Sequence, residues 1–248
     1  MKQISQLPLA VQLPDDETFA SYISEQNQHI IVQLKTLVAA NAKTQKLKSV
    51  KKIKVSSNKA CYLFGQLGCG KSHLLHACCV YASELSLSSL CLSFSELQHL
   101  SVEVLDGLEQ IDVVCLDDIQ FMAGNTQWQQ AVFDLFNRMI EQDRCLIISG
   151  SQAVSHLGLS LPDLESRLSW GVVAQIKPLS DDDKMIAFQF RAKQRGLLLQ
   201  DETVKFLFNR LSRDLGDLLV YLDQLDKASI QEQRKITIPF IKEVLALN

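Results

Sequence analysis

Short apolar runs alternate with longer amphipathic stretches over roughly the first two thirds of the chain. We interpret the runs as strands, at residues 60–64, 90–94, 112–118, 145–149 and 172–176. The intervening stretches place apolar residues at helical spacing, as in 128–141. Strands that alternate with helices predict a parallel sheet covered on both faces, which is an α/β fold.

Beyond residue 178 the strand pattern stops and only helical spacing remains. We predict helices at 181–194, 202–212, 215–231 and 238–247, with Thr237 as the N-cap of the last helix. Another helix is predicted at 28–40, before the first strand. Residues 41–59 are rich in lysine and are interpreted as a connector or a surface hairpin. A solvated loop is the favoured interpretation of this segment, and contact with DNA or an acidic partner is the alternative.

Composition limits the class of protein without identifying it. The chain has 248 residues, 47% hydrophobic and 21% charged, as in soluble globular proteins of one or two domains. Its net charge of −3 gives no general attraction to nucleic acid. The seven cysteines have neither disulfide-like nor metal-like spacing, which predicts buried free thiols in a reducing compartment. We find no signal-peptide core and no apolar stretch of membrane length, so we expect a cytoplasmic protein that does not bind membranes.

Residues 65–72 match the P-loop pattern G-x-x-x-x-G-K-[ST]. Glycines at 65, 68 and 70 allow backbone conformations in which several N–H groups converge on phosphate oxygens. Lys71 is suited to the β- and γ-phosphates, and Ser72 to a bound Mg²⁺. A strand precedes the loop and a helix follows it, so the helix dipole adds to the site. The pattern predicts nucleotide binding with Mg²⁺.

The predicted strand at 112–118 ends in two carboxylates, Asp117 and Asp118. In P-loop proteins such a Walker-B strand holds Mg²⁺ through its acid, here Asp117. Asp118 is a candidate catalytic residue that orients an attacking water. The alternative for Asp118 is a solvated acid at the end of a strand or start of a helix.

Four segments resemble the DnaA clade of AAA+ proteins. They are 70–77 (the P-loop helix), 116–121 (Walker B), 166–171 (the arginine-finger segment) and 235–241 (the end of the lid). The resemblance implies an AAA+ P-loop domain with a five-stranded parallel sheet, followed by a small all-helical lid domain. We therefore divide the chain into a tail at 1–14, a nucleotide-binding domain at 15–177 and a lid at 178–248.

Within that clade the chain resembles the DnaA-related regulatory inactivators more than the initiator itself. The sequence shows no helix-turn-helix segment after the lid, and residues 95–111 have room only for short helices. The tail is similar to sliding-clamp-binding peptides through Gln6, Leu7, Leu9 and Val11. The resemblance implies a negative regulator of replication initiation that binds the DNA-loaded sliding clamp, contacts DNA mainly through the clamp, and stimulates ATP hydrolysis by DnaA.

The resemblance also implies roles for individual residues. The nucleotide, ADP or another nucleoside diphosphate, would be bound by Gly65, Gly68, Cys69, Gly70, Lys71, Ser72, His73, Phe19 and Arg213. Ser72 and Asp117 would hold Mg²⁺, and Arg213 would occupy the sensor-2 position. Arg167 would be an arginine finger offered in trans. The sensor-1 position falls at Ser149 or Ser151, where the initiator has an Asp at the position aligned with Ser151, and both candidates stay open.

Two other functions are compatible with these residues. One is an AAA+ ATPase that acts as a helicase loader or remodelling factor, and the other is a truncated initiator that binds DNA without the clamp. We favour a homo-oligomeric regulator with little or no ATPase turnover of its own.

Overall fold

The computed structural model describes residues 16–48 and 59–247. The predicted tail at 1–14, with its clamp-binding residues, and most of the lysine-rich segment lie outside these residues. No helix within the described ranges is long and apolar enough to cross a membrane.

Strands and helices alternate through the first part of the chain and give way to helices alone, as the pattern predicts. The strands are β1 (Ala60–Phe64), β2 (Ser89–Ser93), β3 (Val113–Asp117), β4 (Cys145–Gly150) and β5 (Val172–Gln175). The helices of this part are α1 (Gln28–Lys48), α2 (Lys71–Glu84), α3 (Phe94–Leu97), α4 (Thr126–Glu141) and α5 (Pro162–Trp170). The helices after the sheet are α6 (Asp181–Gln194), α7 (Asp201–Arg210), α8 (Leu215–Glu232) and α9 (Ile238–Val244).

The five strands form one parallel sheet in the order β2-β3-β4-β1-β5. Alternate residues of each strand face opposite sides. On β1, Cys61 and Leu63 pack under α1 and α2, whereas Tyr62 packs under α4 and α5. A separate apolar cluster holds α6 to α9 together and forms the core of the helical lid. The predicted α/β sheet and all-helical lid are both confirmed.

Helix boundaries follow local chemistry. Asn125 caps α4 by accepting hydrogen bonds from the N–H groups of Gln127 (3.0 Å) and Trp128 (3.2 Å). Thr237 caps α9, as predicted, by accepting from the N–H of Phe240 at 3.5 Å. Between β2 and β3 the structure has only α3 and single 3₁₀ turns, which confirms the prediction of short helices there.

The prediction for α1 was wrong at its C-terminal end. The helix continues to Lys48 rather than ending at Ala40. The apolar stripe stops near Val38, but residues 39–48 are mostly Ala, Lys, Gln and Leu, which have high intrinsic helix propensity. Propensity therefore extends the helix beyond its apolar stripe, and the buried Asn41 also ties this part of the helix to the domain by donating to the carbonyl of Asp112 at 2.6 Å.

All seven cysteines are buried free thiols, as predicted. Burial raises the pKa of the Cys61 thiol to about 12.

Candidate functional site: the P-loop and the elements around it

The P-loop connects β1 to α2 through two glycines in the left-handed region. Gly68 has φ +77° and Gly70 has φ +89°, conformations that other L-residues rarely adopt. Gly70 directly precedes the first residue of α2. The loop therefore ends at a helix N-terminus, where unpaired N–H groups favour an anion.

Lys71 lies inside the loop rather than in solvent. Its side chain is only 6% exposed, and Nζ donates hydrogen bonds to the carbonyl oxygens of Gly65 (3.0 Å) and Gln66 (3.1 Å). The next residue, Ser72, is exposed on the first turn of α2. A cationic group within a glycine cradle, with an accessible hydroxyl beside it, suits the phosphates of a nucleotide and its Mg²⁺.

The end of β4 joins the P-loop to the Walker-B strand. On one side, the N–H of Gly65 donates to the carbonyl of Gly150 at 3.3 Å. On the other side, Ser149 Oγ donates to Asp117 Oδ1 and accepts from the N–H of Asp118 at 3.2 Å. The two predicted halves of the nucleotide site thus flank one strand end. Of the two sensor-1 candidates, Ser149 is the residue whose side chain contacts the Walker-B carboxylate.

Asp118 is oriented by a residue that we did not single out from the sequence. Gln120 Nε2 donates to Asp118 Oδ1 at 2.9 Å, and Gln120 Oε1 accepts from the N–H of Ser151 at 3.0 Å. Asp118 itself has φ +57°, a left-handed conformation that Asp tolerates better than most residues. The signal was present in the sequence, because Gln120 lies within the Walker-B segment that carries the resemblance.

The segment before α1, residues 16–27, passes over the P-loop and is called here the leading segment. The Tyr22 ring lies against Gly70, where an added Cβ would be 2.5 Å from Tyr22 Cε2, and the Tyr22 hydroxyl donates to the carbonyl of Cys69 at 2.9 Å. Phe19, the residue predicted to line the nucleotide site, packs edge-on against Tyr81 with a centroid distance of 5.9 Å. Tyr22 is therefore the aromatic residue of this segment that contacts the loop.

His73 has partners for both ring nitrogens. Nε2 lies 2.8 Å from the carbonyl of Thr18 and 3.2 Å from Ser21 Oγ, and Nδ1 lies 3.0 Å from Arg191 Nη2. Since Arg191 always donates, Nδ1 accepts and Nε2 carries the proton. Burial lowers the pKa of His73, which agrees with a neutral ring. The His73 side chain thus joins the leading segment to the lid.

A buried ion-pair network surrounds His73. Arg191 of α6 is 5% exposed and pairs with Asp16 (3.3 Å) and Glu17 (3.1 Å), while Glu17 also pairs with His76 of α2. Burial alone would raise the pKa of Glu17, but the hydrogen bond from His76 and the charges of nearby basic groups lower it to about 2. Burial tends to lower the pKa of His76, and the bond to Glu17 outweighs it and raises that pKa. We call these five residues the Arg191 network.

Arg213 directly precedes Asp214, the N-cap residue of α8, and Asp214 lies against the P-loop. The Arg213 guanidinium is 74% exposed and pairs with Asp181 of α6 at 3.3 Å. A Cβ built on Gly68 would lie 2.6 Å from Asp214 Oδ2, so this lid residue packs directly on the loop. Arg213 was predicted from the sequence, whereas the role of Asp214 was not.

Arg167 lies in the last turn of α5, which leads into the edge strand β5. It is partly exposed, and its guanidinium has no hydrogen bond or ion pair with any described side chain or backbone. Arg138 and Arg144, by contrast, pair with Glu109 and Asp112, so their charges are already neutralised within the fold.

Comparisons with known proteins match both parts of the chain, the domain with the P-loop and the helical lid. The family model of the bacterial DnaA ATPase domain matches residues 29–175, and that of the Hda lid domain matches residues 181–245. Domain III of the Thermotoga maritima replication initiation protein DnaA is a structural neighbour with a TM-score of 0.73 and 18% identity, covering 95% of this chain and 98% of its own. AMPPCP-bound DnaA from Aquifex aeolicus has a TM-score of 0.64 and 20% identity, over 88% of this chain and 66% of its own. The Thermotoga maritima RuvB branch migration motor has a TM-score of 0.61 and 14% identity, over 95% of this chain and 72% of its own.

A P-loop, a Walker-B strand and a helical lid on a parallel sheet of this order define a protein of the AAA+ class. Within that class, the chain belongs to the DnaA family and is an Hda-like AAA+ protein of the DnaA clade.

Proposed function

We propose that this chain is a negative regulator of replication initiation that acts on DnaA in trans. In this proposal it binds a nucleoside diphosphate such as ADP, with Mg²⁺, at residues 65–72 and Asp117. It binds the DNA-loaded sliding clamp through Gln6, Leu7, Leu9 and Val11, and it offers Arg167 to ATP held by the initiator.

Nucleotide binding is supported by the chemistry of the loop. The glycine cradle, the Lys71 ammonium and the Ser72 hydroxyl form a donor set that fits a nucleotide polyphosphate and Mg²⁺. The Ser149 bond to Asp117 fixes the carboxylate that would face the metal. A relative of the same family, DnaA from Aquifex aeolicus, is known bound to AMPPCP. When bound, Mg²⁺ would neutralise phosphate charge.

The single observation that carries the regulatory role is the unpaired guanidinium of Arg167, in the last turn of the helix that leads into the edge strand β5. An arginine finger must keep its charge available for a phosphate in a neighbouring subunit, so a partner within its own fold would oppose that role. Arg138 and Arg144 lie on the same domain but are both ion-paired. Arg167 has no such pair in the described part of the chain and lies in the segment that resembles the finger segment of the clade.

The test adds the protein to ATP-loaded initiator in the presence of DNA-loaded clamp and follows conversion of ATP to ADP. Arg167→Ala should bind nucleotide and clamp as the parent does but lose stimulation, because such fingers contribute roughly 10³- to 10⁵-fold to phosphoryl transfer. Arg167→Lys should recover only a small part, since Lys lacks the planar fork of donors.

Arg210→Ala is the matched control. Arg210 is an exposed residue in the last turn of α7 and, like Arg167, has no ion pair among the described residues. Its loss should leave stimulation unchanged. If Arg167→Ala stimulates the initiator as well as the parent does, Arg167 is not the finger.

One arrangement in the structure favours the rival function, an ATPase with its own turnover. The contacts of Ser149 with Asp117, and of Gln120 with Asp118, give the site oriented carboxylates. Steady ATP hydrolysis by the purified chain without initiator, abolished by Lys71→Ala and unaffected by Arg167→Ala, would assign that function instead.

A further inference from the structure

Asp214, the N-cap residue of α8, lies on the phosphate-binding loop. Its two carboxylate oxygens face different parts of the molecule. Oδ1 caps α8 by accepting from the N–H groups of Gly216 (2.8 Å) and Asp217 (3.2 Å). Oδ2 lies against Gly68, where an added Cβ would be only 2.6 Å away. The chain thus brings a carboxylate into contact with a loop built to hold anions.

The basic residue of the loop and the one that precedes Asp214 in the chain are bonded to other groups. Lys71 donates to the carbonyls of the loop itself, and Arg213 pairs with Asp181 at 3.3 Å. Asp214 itself has no ion pair with a basic side chain within residues 16–48 and 59–247, so its carboxylate presents an unpaired negative charge to the loop. A helix cap needs only a side-chain oxygen, and Asn or Ser would supply one without the charge.

We propose that Asp214 determines the phosphate specificity of the site, by opposing bound polyphosphate in proportion to its negative charge. This inference rests on the proposed nucleotide binding and names a residue that selects within it. A nucleoside triphosphate carries about one more negative charge than a diphosphate, so a carboxylate against the loop disfavours it more. Asp214 therefore biases the site toward the diphosphate and lowers its affinity for both nucleotides.

The test compares the dissociation constants of Mg·ADP and Mg·ATP for the parent chain and for Asp214→Asn, by isothermal titration calorimetry. Asn keeps the cap, since Asn and Asp are equally good N-cap residues. We expect Asp214→Asn to bind both nucleotides more tightly. Because one unit charge is removed near a surface site, the dissociation constant of ATP divided by that of ADP should fall about three- to ten-fold. Because the effect is electrostatic, it should shrink as salt is raised. Asp214→Ser, a second neutral cap, should give the same change.

Asp217→Asn is the matched control, because it removes the same charge from the same turn of α8. The Asp217 carboxylate accepts from Ser212 Oγ at 2.9 Å and, unlike that of Asp214, does not lie within 4 Å of a Cβ built on Gly68. This variant should leave the ratio of dissociation constants unchanged.

Three results overturn the inference. Equal effects of Asp214→Asn and Asp217→Asn would mean that only net charge matters. Unchanged affinities in Asp214→Asn would mean that the carboxylate does not act on the nucleotide. Weaker binding by that variant would mean that Asp214 helps to hold it. In all three cases the parent chain still binds nucleotide, so the proposed function stands; absence of nucleotide binding by the parent would overturn both.

Discussion

The Arg191 network gives a quantitative prediction for Glu17. Its carboxylate is shared by Arg191 of the lid (3.1 Å) and His76 of the P-loop helix, and its side chain is only 18% exposed. Glu17→Gln keeps the size of the side chain and one acceptor oxygen but removes the charge. Two basic groups then lose a common partner, and Arg191, which is 5% exposed, is left with less compensation for its burial.

The magnitude follows from the pKa of Glu17, which falls from its ordinary value of 4.5 to about 2 in the folded protein. One pKa unit corresponds to about 1.4 kcal/mol. The lowered pKa of Glu17 therefore contributes about 3 kcal/mol to the free energy of unfolding at pH values above 4.5. Since Gln still accepts a hydrogen bond, we expect Glu17→Gln to lower the free energy of unfolding by about 2 kcal/mol near neutral pH.

The sign of the pH dependence is fixed by the direction of each shift. A lowered carboxylate pKa contributes stability that is complete above 4.5 and is lost as pH falls from there toward about 2. The pKa of His76 is raised, so its contribution is complete below 6.5 and is lost as pH rises through the folded value. The difference in free energy of unfolding between parent and Glu17→Gln should therefore be largest between pH 4.5 and pH 6.5. It should shrink by about 1 kcal/mol when the pH is lowered from about 6 to about 4.

The assay is urea unfolding of parent and variant at both pH values, followed by circular dichroism. An NMR titration of His76 should also show its pKa falling in Glu17→Gln. Glu25→Gln is the control, because Glu25 is an exposed acid of the same leading segment. A stability difference below about 0.5 kcal/mol, the usual range for surface substitutions, or one that does not change with pH, would refute the argument.

Two further predictions concern the proposed ligands. Mg·ADP should raise the melting temperature of the parent, because ligand at a hundred-fold excess over its dissociation constant stabilises the folded state by about 2.7 kcal/mol. Lys71→Ala should remove most of this rise. An unchanged rise in the folded variant would refute nucleotide binding at the P-loop. Replacing Gln6, Leu7 and Leu9 together by Ala should abolish pull-down on the sliding clamp while leaving nucleotide binding intact, whereas undiminished pull-down would locate the clamp site elsewhere.

The fold was predictable from the sequence where the apolar pattern and the local hydrogen-bonding residues indicate the same element. Strands such as Val113–Asp117 are apolar because both sheet faces are covered, and Thr237 caps α9 through a local hydrogen bond. The end of α1 was not predictable from its apolar stripe, because residues 39–48 lie beyond that stripe and continue the helix with residues of high helix propensity. Patterns of burial therefore identify the helix but not its length.

Much of the site itself follows from the P-loop and Walker-B motifs, because each motif is one short continuous segment of the sequence. The parts that were missed depend on distant segments. Tyr22 reaches Gly70, Asp214 reaches Gly68 and Arg191 reaches His73, and none of these pairs has a local signature. Phe19 and Tyr22 are equally aromatic in the sequence, and only packing separates the ring on the loop from the ring on Tyr81.

Several other long-range contacts around the site come from one element, the leading segment. Asn27, which is fully buried, accepts from the N–H of Lys177 at 3.0 Å and donates to its carbonyl at 2.9 Å, at the point where the chain leaves β5 for the lid. Glu17 of the same segment binds Arg191 on α6 at 3.1 Å. The segment thus holds the lid at two places, the connection after the sheet and the body of its first helix. Because α6 and α8 share one apolar core, we expect the position of Asp214 against Gly68 to depend on these contacts, made by residues nearly two hundred positions earlier in the chain. The polar character of these contacts fits that task, since hydrogen bonds and ion pairs fix an orientation that apolar packing alone would leave less defined.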